Sequence, residues 1–384
     1  MPGRRLIKPV MTDIHPPHAL KPLPFNPALA RLPVYQPGRP IDEVARELKL
    51  DPAAIAKLAS NENPLGPSPK ALAAIQQAAA QTHLYPDGNA YHLKERLAAR
   101  LGVEPRHLIL GNGSNEIIEF IGHALLEPEA EVVVSQYCFA IYPIVTRMFG
   151  GRPVVVPARD YGHDLAAMVA AITPRTRVVF VANPNNPTGT LADRAALLQL
   201  IDQAPADVLV VIDEAYIEYL DDPLDLLPIV RCGERPNLLL MRTFSKIHGL
   251  AGLRVGYGIG HPSVVATFER IRQPFNVNAL AQAAALAALG DDDHVERSRA
   301  VNREGIEFWS GALREMGIEF VPSAANFVLV HVGDGAKVFN DLQRRGIIVR
   351  PMGGYELPEW IRISIGTAAE NARCIEELRR CCGR

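Results

Sequence analysis

Lys246 has the sequence neighbours that amine chemistry would require. It lies between Ser245 and a glycine-containing stretch that ends at Arg254. A lysine in an apolar sequence often packs its stem against the protein surface while its ammonium group reaches water. Alternatively, burial and a neighbouring cation keep the amine reactive, so that it forms a Schiff base with a carbonyl compound. The stretch by itself leaves both interpretations open.

A carboxylate and two polar loops follow other predicted strands. Asp213 comes directly after Val208–Ile212, where it either caps the next segment or binds a cationic ring nitrogen. Gly111–Asn115 lies between a strand and a helix, as a tight turn or as a phosphate-binding loop. The loop Asn183–Gly189 contains two prolines and a glycine, which indicate a rigid turn. Because the carboxyl ends of parallel strands meet at one edge of a sheet, we expect these groups to lie near Lys246.

One cofactor requires this whole set of groups. Pyridoxal phosphate needs a lysine for a Schiff base, an acidic partner for its pyridine nitrogen and an anion site for its phosphate. Lys246 and Asp213 meet the first two needs, and Ser245 and Arg254 could bind the phosphate. An aromatic side chain should stack on the ring, and Tyr137 follows a predicted strand at a suitable place. The sequence therefore predicts a pyridoxal phosphate site.

The elements that would position these residues form an α/β pattern. Short β-branched runs are separated by helical windows or loops, which is typical of a largely parallel sheet covered by helices on both faces. These runs are Val132–Val134, Val154–Val156, Val178–Val181 and Val208–Ile212. Predicted helices cover residues 69–81, 91–101, 279–288 and 294–316.

The alternation fades near residues 273–276, which divides the chain. Three later apolar runs indicate a second, smaller α/β domain; they are Phe327–Val330, Gly346–Arg350 and Trp360–Ser364. We predict a proline-rich arm at 1–30, an N-terminal segment at 31–60 that joins the small domain, a large cofactor-binding domain at 61–275 and a small C-terminal domain at 276–384.

The composition favours an intracellular protein over a nucleic-acid or membrane protein. The 384 residues include 40 basic and 42 acidic side chains, so no basic excess attracts nucleic acid or an anionic membrane. The five cysteines have no metal-ligand spacing, which predicts free thiols and no metal site. No apolar run is long enough for a transmembrane helix, and prolines interrupt the N-terminus where a secretory signal would be apolar. We therefore expect a cytoplasmic location.

Several motifs together resemble those of the fold-type I pyridoxal phosphate aminotransferases, over residues 31–384. These motifs are Tyr35–Gly38, Ala59–Pro64, Tyr85–Gly88, Gly111–Glu116, Asn183–Gly189, Asp213–Tyr216, Phe244–Gly256, Arg350–Met352 and Ile361–Thr367. Within this superfamily the chain is most similar to the histidinol-phosphate aminotransferase family, in the class II branch. The resemblance implies a large domain with a mostly parallel sheet between helices, plus a smaller α/β C-terminal domain. Residues 1–30 lie outside the match.

The resemblance implies a role for each cofactor-binding residue. Lys246 would form the internal aldimine and later carry the proton between the substrate Cα and the cofactor C4′. Asp213 would pair with the pyridine nitrogen, and Tyr137 would stack on the ring. Asn186 and Tyr216 would hydrogen-bond the phenolic oxygen. The residues that would hold the phosphate are Gly113, Ser114, Asn115, Thr243, Ser245 and Arg254.

The resemblance also implies a homodimer, because Tyr85 would reach the same phosphate from the neighbouring subunit. On the substrate side, Arg362 aligns with the arginine that grips the substrate carboxylate in related transaminases. Histidinol phosphate carries a dianionic phosphate there, which several donors bind better than one arginine. Arg350 lies in a neighbouring predicted strand, and Tyr35 and Asn63 complete the predicted substrate site. A surface ion pair is the alternative for Arg350.

The implied reaction transfers an amino group between L-histidinol phosphate and 2-oxoglutarate. It gives imidazole-acetol phosphate and L-glutamate by a ping-pong mechanism, as a step of histidine biosynthesis. Aromatic amino-acid aminotransferases share most of these motifs and are the main alternative, and a threonine-phosphate decarboxylase is a further one. A non-catalytic regulator built on this fold would carry a fused DNA-binding domain, for which residues 1–30 are too few and too rich in proline.

Overall fold

The described chain alternates helices and strands through most of its length. The computed structural model describes residues 37–383 together with Leu23, Pro27, Leu29 and Leu32. The strands are β1 (Ala56–Lys57), β2 (Leu108–Gly111), β3 (Glu131–Ser135), β4 (Arg152–Val156), β5 (Thr176–Ala182), β6 (Leu209–Asp213), β7 (Leu238–Thr243), β8 (Gly256–Gly260), β9 (Phe320–Val321), β10 (Phe327–His331), β11 (Ile347–Ile348), β12 (Arg350–Pro351) and β13 (Trp360–Ser364). The α-helices are α1 (Ile41–Leu48), α2 (Pro69–Ala79), α3 (Tyr91–Leu101), α4 (Ser114–Leu125), α5 (Ile141–Met148), α6 (Leu165–Ala170), α7 (Arg194–Gln203), α8 (Leu227–Cys232), α9 (Pro262–Ile271), α10 (Ala279–Ala288), α11 (Asp292–Glu315), α12 (Gly335–Arg344) and α13 (Ala368–Cys381).

The main sheet has seven strands in the order β2-β8-β7-β6-β5-β3-β4. The strands from β7 to β4 in this order pair in parallel, whereas β8 runs antiparallel between β2 and β7. Every residue of β6 is buried, as expected for a strand covered on both faces. Burial on both faces explains why these strands are continuous apolar runs rather than alternating patterns. The predicted largely parallel sheet is therefore confirmed.

Helices pack on both faces of this sheet. On one face, Ile117 of α4 and Phe268 of α9 are buried against the strands. On the other face, Leu93 of α3, Leu197 of α7 and Ala284 of α10 form a second buried cluster. The three-layer arrangement leaves the strand ends open at the edges of the sheet, where ligands bind in α/β folds.

Helix α10 packs with the large domain. Ala281, Ala284 and Ala285 lie in the same buried cluster as the sheet residues, and α10 packs along α2. Alanine side chains are small enough for two helices to approach closely, and their burial fixes α10 on this domain. The predicted domain boundary at 275/276 assigns α10 to the small domain, although α10 packs with the large-domain core. We propose that the boundary lies between α10 and α11 instead.

The small domain is built on an antiparallel sheet with the order β12-β13-β10-β9. Its core contains Trp309 of α11, Val338 of α12 and Ile375 of α13. The predicted strand at 346–350 is divided between two sheets, because β11 pairs in parallel with β1 whereas β12 pairs with β13. Strand β1 therefore attaches the N-terminal segment to the small domain. Of the predicted arm at 1–30, only Leu23, Pro27 and Leu29 are among the described residues.

Three further features concern the predicted class of protein. The five cysteines are free thiols, as their scattered spacing predicted. Within residues 37–383, we find no helix with the length and apolar character needed to cross a bilayer. The same part of the chain has no group of three side chains placed to hold a metal ion.

Candidate active site

A cavity of about 240 Å³ opens where β5, β6 and β7 end and the small domain begins. Ala182, Asp213 and Thr243 are the last residues of these strands, and all three line the cavity. Arg350 and Arg362 line it from the small domain. Other predicted residues in its wall are Ser114, Asn115, Asn186, Tyr216, Ser245, Lys246 and Arg254. The structure thus brings together most of the residues that the sequence singled out.

The Lys246 side chain lines this cavity rather than extending into bulk water. Its Nζ donates a hydrogen bond to the carbonyl oxygen of Ser60 at 3.2 Å and lies 5.7 Å from the centre of the Tyr216 ring. Burial lowers the pKa of Lys246 to about 8, and the nearby Arg362 cation acts in the same direction. The interpretation of Lys246 as a solvent-reaching surface residue is therefore wrong.

Asp213 ends β6 with both carboxylate oxygens hydrogen-bonded. Oδ1 accepts from the backbone N–H of Ala215 at 3.1 Å, so the carboxylate does cap the next segment. Oδ2 accepts from the hydroxyl of Tyr142 at 2.7 Å. Burial raises the pKa of Asp213, while the two donors and the Lys246 cation act in the opposite direction. Capping and a role in the cavity are compatible, because the same carboxylate lines the cavity.

The N-terminus of α4 forms an anion-binding end of the cavity. Gly113 precedes the helix with a φ of +75°, and among the described residues no side chain caps it. Arg254 lies against this glycine, since a Cβ atom at position 113 would be 2.3 Å from Nη2 of Arg254. Nearby, Oγ1 of Thr243 accepts from the N–H of Ser245 at 3.1 Å, and Oγ of Ser245 is 3.5 Å from Arg254 Nη1. Helix N–H groups, hydroxyls and a guanidinium are the donors that a phosphate requires.

Tyr216 and Asn186 each accept a hydrogen bond that leaves their own N–H or O–H groups available. Nδ2 of Asn61 donates to the Tyr216 hydroxyl at 2.9 Å, and the Arg362 guanidinium donates to Oδ1 of Asn186. Burial raises the pKa of Tyr216 to about 12, so its phenol stays protonated at neutral pH. Asn61 was not predicted as a site residue, although it lies in the same motif as the predicted Asn63.

Asn63 supports the lysine loop instead of lining the cavity. Its Nδ2 donates to the carbonyl oxygen of Ile247 at 2.6 Å and to Oγ of Ser298 at 2.8 Å. Its Oδ1 accepts from the N–H of Leu65 at 2.9 Å. Both ends of the amide are therefore used within the protein, and the substrate contact predicted for Asn63 stays a prediction. The side chain fixes the backbone next to Lys246.

Phe139 lies in the cavity wall, whereas the predicted Tyr137 is not among the residues that line it. Among the described residues that line the cavity, Phe139 and Tyr142 come from the segment after β3, and Tyr137 is absent. The Tyr137 ring stacks on Tyr161, with centroids 6.1 Å apart, and packs against the small-domain cluster that contains Trp360. This packing holds the Tyr137 ring beside Tyr161, whereas Phe139 lies in the cavity wall. The stacking of Tyr137 on the cofactor ring stays a prediction.

Arg350 and Arg362 lie side by side on neighbouring strands of the small-domain sheet. They are direct partners in the antiparallel pairing of β12 and β13, so their side chains leave the sheet on the same face. Arg362 is 6% exposed, donates to the carbonyl oxygen of Ala59 at 2.9 Å and lies 5.0 Å from the centre of the Phe327 ring. Like charges placed directly opposite are unfavourable unless an anion lies between them.

Tyr35 and Tyr85 are the two remaining tyrosines of the predicted site. Tyr35 lies outside the described residues. Tyr85 is 82% exposed and stacks on Phe275, with ring centroids 4.7 Å apart. It borders a separate surface pocket formed with α2, α3 and α10. From this position Tyr85 is available to a second molecule rather than to the cavity of its own chain.

Sequence comparisons agree with the chemistry of this cavity. The profile of the family described as aminotransferase class I and II matches residues 53–378. The histidinol-phosphate aminotransferase of Akkermansia muciniphila is 54% identical over 355 residues, which cover 92% of this chain and 97% of that protein. Histidinol-phosphate aminotransferase 2 of Pseudomonas aeruginosa is 50% identical, covering 92% of this chain and 96% of that protein.

Solved structures extend the comparison to the fold. The crystal structure of histidinol-phosphate aminotransferase from Sinorhizobium meliloti in complex with pyridoxal-5'-phosphate matches with a TM-score of 0.87 at 31% identity, covering 95% of this chain and 99% of that one. Aspartate aminotransferase from Thermus thermophilus with maleate has the same fold, with a TM-score of 0.80 at 23% identity, covering 93% and 99% of the two chains. The chain therefore belongs to the class I and II aminotransferases, in the histidinol-phosphate aminotransferase family.

Proposed function

We propose that this protein is a pyridoxal phosphate-dependent aminotransferase that uses L-histidinol phosphate and 2-oxoglutarate. Its products would be imidazole-acetol phosphate and L-glutamate, in histidine biosynthesis. The observation that carries the choice of substrate is the direct pairing of Arg350 and Arg362 at the cavity that contains Lys246. A phosphate monoester has a charge of about −1.5 to −2 at neutral pH, so it can accept charge-assisted hydrogen bonds from both guanidinium groups. The carboxylate of an ordinary amino acid has a single negative charge, which one guanidinium group matches.

The cavity fits pyridoxal phosphate at both of its ends. Its phosphate would be held by the N-terminus of α4 with Gly113, Ser114 and Asn115, and by Thr243, Ser245 and Arg254. Glycine suits position 113 because its φ is +75°, and a Cβ atom there would also push the Arg254 guanidinium out of its present place. Asp213 would accept a hydrogen bond from the protonated ring nitrogen, and Phe139 would cover the ring. Bound there, the cofactor supplies a carbonyl carbon that reacts with amines and a ring that accepts the electrons of a broken Cα–H bond.

Lys246 is the group in this chain that would move a proton at the reacting carbon. With a pKa of about 8, roughly a tenth of its amine is deprotonated at pH 7 in the cofactor-free protein. An unperturbed lysine would be deprotonated to well under about 1% at that pH. The free amine at Nζ would take the proton from the substrate Cα and deliver it to the cofactor C4′, on the other side of the nitrogen that joins the two carbons. A base with a pKa near the operating pH is suited to both directions of this transfer.

Tyr216 and Asn186 would both donate hydrogen bonds to the phenolic oxygen of the cofactor. The Tyr216 oxygen already accepts from Asn61, so its own proton is the one left to donate. The side-chain carbonyl oxygen of Asn186 already accepts a hydrogen bond from Arg362, so the amide N–H group of Asn186 is also left to donate. These fixed donors would stabilise negative charge on that oxygen without any rearrangement of the protein.

A homodimer would complete the site. Leu84, Tyr85, Tyr91 and Phe275 are large, exposed side chains of the same surface region, with exposures from 43% to 82%. We propose that a second copy covers this region and receives Tyr85 at its cofactor phosphate. The free thiols of all five cysteines also support a cytoplasmic location, where thiols stay reduced.

A mixing experiment tests the contribution of Tyr85 across the interface. Tyr85→Ala should lower kcat/KM about tenfold, because a hydrogen bond to a charged group is lost. Lys246→Ala subunits should be inactive. Unfolding and refolding the two variants together should restore activity, because half of the sites in each mixed dimer then have both residues intact. The double variant Tyr85→Ala/Lys246→Ala is the control partner, and it should restore nothing. Equal results with both partners would show that Tyr85 does not act across an interface.

Arg350→Gln tests the proposed substrate. We expect kcat/KM for histidinol phosphate to fall by about 10- to 100-fold, since a charge-assisted hydrogen bond to the phosphate is lost. The value for phenylalanine should fall by less than about threefold, because its carboxylate needs only Arg362. Arg345→Gln is a matched control, since Arg345 pairs with Glu377 on the surface of the same domain. Equal losses for both amines would contradict the assignment of Arg350 to the phosphate.

The reaction itself is tested by kinetics on three amines. Histidinol phosphate, phenylalanine and threonine phosphate would each be added to the loaded enzyme, and the change in cofactor absorbance and the release of CO2 recorded. The proposal requires the largest kcat/KM for histidinol phosphate and no CO2. A larger value for phenylalanine would favour an aromatic aminotransferase, and CO2 from threonine phosphate would favour a decarboxylase.

A further inference from the structure

Tyr142 is a fully buried tyrosine that none of the assigned roles explains. It lies in the first turn of α5 with 0% exposure, and its hydroxyl donates to Oδ2 of Asp213 at 2.7 Å. Its ring stacks on Phe180 of β5, with centroids 4.4 Å apart and planes 3° from parallel. Oγ1 of Thr146 donates to the Tyr142 backbone carbonyl at 2.7 Å. The ring therefore has a single position, and its hydroxyl is aimed at one acceptor.

The carboxylate of Asp213 is held at both oxygens. Ala215 donates to Oδ1 and Tyr142 donates to Oδ2, so rotation of the carboxylate about its Cβ–Cγ bond would break one of the two hydrogen bonds. Each oxygen keeps a second lone pair for another donor. Because Asp213 also lines the cavity, those lone pairs are the ones offered to a ligand.

The two donors also act on the charge of Asp213. Burial raises the pKa of this carboxyl, and the hydrogen bond from Tyr142 opposes that effect. Burial and the Asp213 charge raise the pKa of Tyr142 well above its usual value, so the phenol remains a neutral donor. The other groups that act on the pair are Lys246, Tyr216, Glu214 and Cys138. The arrangement keeps Asp213 oriented before any ligand enters, and the Tyr142 hydrogen bond favours its anionic form.

We propose that Tyr142 is a positioning residue, whose hydroxyl holds the Asp213 carboxylate in the orientation that receives the pyridine N–H of the cofactor. The hydroxyl acts through Asp213 and has no direct part in the reaction. This inference depends on the proposed role of Asp213 and not on which amine is transferred. Preorganised acceptors strengthen binding because the protein does not have to reorder them when the ligand arrives.

Tyr142→Phe is the variant that tests this, because it retains the ring on Phe180 and removes only the hydroxyl. Cofactor-free protein would be titrated with pyridoxal phosphate, with fluorescence quenching as the readout and no amine substrate present. We expect the cofactor Kd to rise about tenfold, the loss expected for a hydrogen bond to a charged group. The visible absorption maximum of the bound cofactor should also shift, because the electrons of the ring respond to its nitrogen partner.

Two controls separate positioning from general stability. A cofactor analogue with carbon in place of the pyridine nitrogen should bind Tyr142→Phe and the parent protein equally. Tyr257→Phe removes another buried tyrosine hydroxyl, one that contacts Arg242, and should change neither the Kd nor the spectrum. In an Asp213→Asn background, Tyr142→Phe should have little further effect, since residues that act through one another are not additive.

The outcomes distinguish this inference from the site assignment. If Asp213→Asn leaves the cofactor Kd unchanged, the proposed role of Asp213 fails. If Asp213→Asn weakens binding but Tyr142→Phe does not, only the role of Tyr142 fails. A Tyr142→Phe loss that is equally large with the carbon analogue, or fully additive with Asp213→Asn, would assign the hydroxyl to folding alone and would overturn the proposal.

Discussion

Lys246→Ala is expected to abolish transamination while leaving the fold intact. The variant loses both the covalent anchor of the cofactor and the group that moves the proton, and we expect turnover with histidinol phosphate to fall by at least about 10⁴-fold. Among the described residues that line the cavity, Lys246 is the only lysine, so no neighbour can substitute for it. The visible absorbance that marks the lysine-bound cofactor should disappear from the purified variant.

Chemical rescue makes this prediction sharper. Removing the side chain leaves space beside Ser60 and Tyr216, which small primary amines can enter. Millimolar methylamine should therefore recover part of the lost rate in Lys246→Ala and add nothing to the parent enzyme. Lys70→Ala is the matched control, because Lys70 is a surface lysine that donates to the Gly290 carbonyl. If Lys246→Ala retained the absorbance band and full turnover, the catalytic assignment of Lys246 would fail.

Arg362→Lys is expected to reduce kcat/KM by about 10²- to 10³-fold for every amine and for 2-oxoglutarate. The substitution keeps a positive charge but removes the planar fork that contacts Ala59 and Asn186 on one side and a substrate anion on the other. Losing one partner of a buried, hydrogen-bonded charge pair costs about 2–5 kcal/mol, which corresponds to this range. The measurement is steady-state kinetics with each substrate in turn.

The pattern of losses is as informative as their size. Arg350→Gln should affect the phosphate substrate selectively, whereas Arg362→Lys should affect all substrates. Arg373→Lys is a control in the same domain, because Arg373 also donates to backbone carbonyls but on the exposed surface. A loss confined to histidinol phosphate in Arg362→Lys would mean that Arg362 is a phosphate ligand only. A loss below about threefold would remove Arg362 from the substrate site.

Much of the cofactor site could be predicted because its residues end strands. Asp213 and Thr243 each stand at the end of a strand with a mainly apolar sequence. Such an apolar run predicts a buried strand of a parallel sheet. The ends of such strands meet at one edge, so local sequence was enough to bring distant residues together. Arg350 and Arg362 could also be assigned to strands from their apolar neighbours, and the structure pairs them directly in an antiparallel sheet.

Residues in loops were harder to place, because a loop has no periodicity to orient its side chains. Phe139 and Tyr137 are two positions apart after β3, and the packing of Tyr137 on Tyr161 decides which ring faces the cavity. Likewise, hydrogen bonds to Ile247 and Ser298 turn Asn63 away from the cavity. These contacts come from parts of the chain far away in sequence, so no local pattern reports them.

The packing partner of α10 was hard to predict for a related reason. The spacing of apolar residues identified α10 as a helix, but an alanine-rich helix can pack against many surfaces. Its place beside α2 follows from the complementarity of two helix faces, which the sequence of α10 alone does not specify. Strand β8 is an exception to the parallel pattern. After the Lys246 loop the chain runs back between β2 and β7, so β8 is antiparallel to both of them.

Residues 56–63 connect the substrate-binding domain to the catalytic lysine. Strand β1 is paired with β11 in the small domain, whereas Ser60 and Asn63 contact Lys246 and Ile247 in the large domain. This stretch is short and is hydrogen-bonded to the small domain at one end and to the Lys246 loop at the other. A displacement of the small domain would therefore be transmitted along it to the Lys246 loop. Rotation of the small domain toward a bound anion would therefore move the hydrogen-bond acceptor of the Lys246 amine. Such a rotation would couple the binding of an anion at the small domain to the position of the Lys246 amine.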